Sequence, residues 1–184
     1  MEWKKVAVFL LLCLAWVSAT SGEEYSLRYF MEKSSLKSYE LPKKERAELL
    51  HQVENLLEKT KEVQRKLART LQEGEGGIKY QEGRLWMSML EGDQKAIDSG
   101  AQQVSILKEK PTQLVAAVRL YKSLRDLSFH FSAYNNVPYF SAHVGDLALE
   151  LELWTDPVFY KLYLLPLAQS RSVEAKSPSK GKKP

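Results

Sequence analysis

The feature that most constrains the fold is the stretch 42–73, PKKERAELLHQVENLLEKTKEVQRKLARTLQE. Leu49, Val53, Leu56, Thr60, Val63, Leu67 and Thr70 follow one another at spacings of four and three, which places them on one face of an α-helix. Leu50, Leu57 and Leu71 widen that face. Pro42 suits a first helical position, nothing inside breaks the helix, and Gly74, Gly76 and Gly77 stop it. At about 1.5 Å per residue, the 32 positions make a rod about 48 Å long. A rod with one apolar face is not stable alone in water and demands partner helices.

The following stretches supply them. In residues 79–109, Trp86, Met89, Asp93, Ile97, Gly100, Val104 and Leu107 repeat the same spacing. Gly100 on that stripe allows a neighbouring helix to come close, while Gly92-Asp93 offers a break at which Asp93 would cap a new helix. Lys110-Pro111 punctuates the chain, as a reversal or as a kink in one continuous helix. Leu114, Ala117, Leu120, Tyr121, Leu124, Leu127 and Phe131 then form a broad face. Tyr134-Asn135-Asn136 reads as a turn and Pro138 as a helix start.

From Pro138 two periods compete. Leu147, Leu149, Leu151 and Leu153 alternate as in a strand, yet Phe140, Val144, Leu147, Leu151 and Trp154 keep helical spacing. A lone strand would have no sheet to join, so the helix is preferred. Asp156-Pro157 reads as the cap and first position of a short helix ending near Pro166. The expected fold is therefore all-α: an antiparallel bundle of about four main helices plus a short fifth over residues 42–168. An N-terminal arm or short helix, residues 23–41, precedes it, and a disordered basic tail, residues 169–184, follows.

Residues 1–22 carry Lys4 and Lys5, an apolar run of 12 residues and then small, mostly polar positions, the layout of a secretory signal peptide cleaved after Ala19 or Gly22. The apolar run is too short to span a bilayer, so export is expected, with the endoplasmic reticulum lumen as the alternative. Cys13, the only cysteine, falls inside this segment. Thiol nucleophiles, cysteine-ligated zinc and structural disulfides are thereby excluded from the mature chain. Lys43-Lys44 could serve as a dibasic processing site, but lysines in a solvated first turn explain it as well. Residues 23–170 hold 20 basic and 21 acidic side chains, and five basic residues against one acidic one raise the tail to +4. The folded part is near neutral, which argues against a nucleic-acid interface.

Chemistry-bearing residues are few. Asp126 and His130 stand one helical turn apart, with His143 further on, a set that would suit a metal or a general base. No metalloprotease helix motif or nucleophile turn accompanies them, and Gly74-Glu75-Gly76-Gly77 lacks the ending of a phosphate loop. His51 reads as an edge residue, Glu82 and Glu91 as ordinary surface charges. No catalytic, cofactor-binding or metal-ligating residue is assigned. Nine aromatics in residues 129–163 supply core, with a remainder for a ligand cleft or a protein interface. The reading is a secreted, non-enzymatic protein acting as ligand or adaptor through an interaction surface at Val63, Leu67, Tyr160 and Tyr163. The alternatives are a carrier of an apolar small molecule within the bundle, and an enzyme built on Asp126, His130 and His143. Self-association through the first long helix is weighed and not favoured, because the chain's own helices can cover its stripe.

Overall fold

Every element of the structure, a computed structural model that describes residues 25–36, 40–73 and 80–176, is helical, and no strand occurs among the described residues. In chain order the helices are α1 (Leu27–Ser34), α2 (Lys43–Gln72), α3 (Tyr80–Glu109), α4 (Leu114–Asn135), α5 (Pro138–Val144) and α6 (Leu147–Leu153). A π-helical segment, Trp154–Leu164, then runs into α7, Leu165–Lys176. The alternating leucines of residues 147–153 thus fold as helix: Leu147 and Leu151 are buried and Leu149 is exposed. Residues 1–22 and the Gly74-Glu75-Gly76-Gly77 turn lie outside the described residues.

The stripe on α2 faces inward along its length. Leu49, Leu50, Val53, Leu56, Leu57, Val63 and Leu67 are all buried, and a fully buried Leu or Val is worth about 1.5–3 kcal/mol. Thr60 and Thr70 fit the same interior because each hydroxyl donates to a carbonyl four residues back, Leu56 O at 2.7 Å and Lys66 O at 3.2 Å. α3 runs antiparallel to α2: Gln64 Nε2 donates to Leu90 O at 3.0 Å, and towards the other end Lys108 Nζ reaches Glu54 at 2.6 Å. Gly100 marks the closest approach. A Cβ there would lie 3.2 Å from a Leu57 methyl and 3.6 Å from Ser123 on α4.

Glycine and proline signals resolve in ways the spacing alone does not fix. α3 passes through Gly92 and Asp93 without a break, so Asp93 is an interior residue and not a cap. At Pro111 the chain reverses through a tight turn, closed by Gln113 N–H donating to Lys110 O at 3.1 Å, and α4 packs back on α3. The stretch after Pro138 is two helices and not one. Gly145, at φ 50° and ψ −132°, takes a conformation open to glycine and costly for other residues, and it turns the chain between α5 and α6.

The expected cap and short helix at Asp156-Pro157 are also corrected. Pro157 lies inside the π-helical segment, and Asp156 accepts from Tyr121 Oη at 2.7 Å instead of capping. Proline lacks an N–H and its ring crowds the preceding turn, so a wider turn accommodates it. The widening persists to the end of the segment, where Leu165 N–H donates to Tyr160 O five residues back. Pro166 does not stop the chain either: α7 continues to Lys176, so residues 169–176 of the expected disordered tail are helical, and the remainder lies outside the described residues. In the N-terminal arm α1 carries Phe30, fully buried, with its ring 5.7 Å from that of Trp154. Its first turn is capped by Ser26 Oγ, which accepts from Tyr29 N–H.

Candidate functional site

Two features stand out from the bundle, one buried and one on its surface. The buried one starts from Asp93, a carboxylate on the apolar stripe of α3 with no exposed surface. Such a charge survives only if its oxygens are taken up by donors. Tyr134 Oη donates to one oxygen at 2.5 Å, and His130 Nδ1 lies 2.6 Å from the other, both from α4. Burial pushes the Asp93 carboxyl above its ordinary value, opposed by the bonds from Tyr134 and His130. Burial also drives the Tyr134 hydroxyl upward, reinforced by the neighbouring Asp93. The His130 ring itself is partly exposed, so its Nδ1 edge meets Asp93 while part of the ring reaches the surface.

Around this network the aromatic residues pack on one another. Trp86 lies edge-on to Tyr134 and Phe140 at 5.7 and 5.8 Å, and Phe131 and Phe140 flank Tyr134 at 5.5 and 5.6 Å. Glu82, read from sequence as an ordinary surface charge, is tied in as well. It accepts from Tyr139 Oη at 2.8 Å and from Trp86 Nε1 at 3.3 Å, joining α3 to α5.

The expected grouping of Asp126, His130 and His143 does not form. His130 turns to Asp93, and His143 lies beside Thr70 of α2 at 3.4 Å. Asp126 is exposed and acts on Asp93 only as a like charge. No group of three or more metal-ligating side chains occurs among the described residues. His51 is exposed beside Glu54, as its edge position implied. The sequence did hold one signal for Asp93, an acid standing where the stripe called for an apolar residue.

Of the four residues expected on an interaction surface, three are interior. Val63 is 8%, Leu67 0% and Tyr163 3% exposed, because the stripe of α2 and the inner side of the π-helical segment both face the chain's own core. Tyr163 donates to Pro111 O at 3.0 Å and stacks on Phe159. Tyr160 alone is exposed, at 38%. It adjoins Tyr121 with ring centroids 5.5 Å apart, and Tyr121 opens onto the outer face of α4.

That face is the surface feature. Val115, Val118, Lys122, Arg125 and Phe129 are all exposed, and their spacing of three and four puts them along one side of the helix, with exposed Arg119 beside Val118 and four residues on from Val115. Phe129 is 73% exposed, the most of any large apolar side chain described. From Val115 to Phe129 the face extends about 21 Å. Three cations stand among its apolar groups against the single acid Asp126.

No helix among the described residues is long and apolar enough to cross a membrane. Fold and site together define an all-α bundle with a buried carboxylate network and one exposed aromatic and basic face. Comparison with protein-family models, with curated proteins and with solved structures finds no match to this chain.

Proposed function

We propose that this is an exported, non-enzymatic helical protein that acts by binding another protein through the outer face of α4. The observation that carries the reading is the exposed row Val115, Val118, Lys122, Arg125 and Phe129, continued by Tyr121 and Tyr160. Aromatic and arginine side chains are the types enriched at the energetic centres of protein interfaces, and each of these already stands on a rigid helix. The excess of Arg and Lys selects a partner whose contact surface is acidic around an apolar centre. The basic, apolar and small-residue order of residues 1–22 supports export.

The buried network favours a structural role over catalysis. Each Asp93 oxygen already has a hydrogen-bond partner, and those partners clamp α3 to α4. The experiment places a photo-crosslinking amino acid at Val118, and in a second protein at Lys95 on α3, in chain secreted by a producing cell. One protein captured reproducibly from position 118, absent from position 95 and lost as salt is raised, is the expected result. Equal capture at both positions would defeat the proposal.

A further inference from the structure

At the other end of α4 from Phe129, where α2 begins and α3 ends, a groove opens that the α4 face does not share. Its volume is about 480 Å³, within the range of small-molecule sites. Leu50, Leu107 and Pro111 line it together with three cations, Lys43, Arg46 and Lys108, and no acid is among its lining residues. A second cavity of about 240 Å³ adjoins it, sharing Arg46, Pro111 and Thr112 and reaching Leu162 and Leu167.

Arg46 stands between the two. Its guanidinium lies 5.9 Å from the Tyr163 ring centroid, donates to Leu41 O at 3.4 Å and is 3.7 Å from Glu40. Those contacts hold it in place, with Glu40 lining the adjoining cavity and not this groove, and Lys108 has the shorter ion pair, to Glu54. The amino-terminal end of α2, which has no side-chain cap, adds the positive end of its helix dipole.

We propose that this groove binds an amphiphile with a carboxylate head and a single unbranched alkyl chain. The head lies among Lys43, Arg46 and Lys108, the charged residues of a lining that includes no acid. The chain lies along Leu50, Leu107 and Pro111. A neutral amphiphile would gain nothing from the three cations on the groove wall, and a cationic one would be repelled. This inference is independent of the protein-binding face, since the two sites share no residue.

The test titrates the full secreted chain with dansyl-undecanoic acid and then displaces the probe with dodecanoate or with dodecyltrimethylammonium. Saturable binding is expected, reversed by dodecanoate and not by the cationic amphiphile of the same chain length. Ala47→Trp, at an exposed position on the groove wall, and Lys43→Glu should each weaken binding by about tenfold with the helical signal unchanged. Absence of saturable binding, displacement by both amphiphiles alike, or full affinity in both variants would overturn the proposal.

Discussion

Asp93 shows how much one residue can hold. Replacing it with Ala strands the buried Tyr134 hydroxyl and one nitrogen of His130, each at a cost of about 1–3 kcal/mol. Asp93→Ala should therefore lose about 3 kcal/mol in urea unfolding, while Asp93→Asn, which keeps an acceptor for Tyr134, should lose clearly less. Equal losses would mean that the hydrogen bonds do not set the cost. Tyrosine ionisation offers a second reading at this scale. Burial raises both Tyr139 and Tyr163 to about 12, the former also through Glu82. A folded pKa above the unfolded value of about 10 stabilises the neutral side. That contribution is complete below pH about 10 and disappears as the pH climbs towards about 12. Absorbance at the tyrosinate band and helical signal, followed together, should show late tyrosinate appearing as the helix is lost. Tyrosinate formed entirely near its ordinary pH in a still-folded chain would contradict the burial of Tyr163.

Among the elements, α3 contains two glycines with opposite expected outcomes. At Gly92 an added Cβ meets nothing within 4 Å, so Gly92→Ala should stabilise by about 0.5–1 kcal/mol through helix propensity alone. At Gly100 the same Cβ presses on Leu57, itself 1% exposed and enclosed by core. Gly100→Ala should destabilise by about 1 kcal/mol once overpacking offsets the propensity gain. Thermal unfolding of both variants checks the pair, and a stabilised Gly100→Ala would show that Leu57 has room to yield. The role of Gly100 was legible from its place on the stripe, since a residue without a side chain on a buried face marks a close approach. The break at Gly145 was not, because the flanking Val144 and Leu147 keep helical spacing across it and only the backbone angle reveals the turn.

For the whole molecule, the decisive comparison lies between the inside of α2 and the outside of α4. Val63→Asp would place an unpaired charge in the core and should leave the chain unfolded, whereas Val118→Asp should leave the chain folded and abolish the binding proposed for the α4 face. Circular dichroism with sedimentation of each variant reads the outcome, and a folded Val63→Asp monomer would show that this part of the stripe is not sealed by the chain's own helices. By itself the sequence determined the helical class, the inward stripe of α2 and the apolar positions of α3 and α4. Each of these follows from a 3.6-residue period that any short window displays. Only the tertiary structure decided that Asp93 is satisfied by His130 and Tyr134, that Tyr163 is interior while Tyr160 is not, and that Pro157 sits within a widened helix. The partners of Asp93 lie 37 and 41 residues away along the chain, and which side of a helix is covered depends on what packs against it, a property no local period contains.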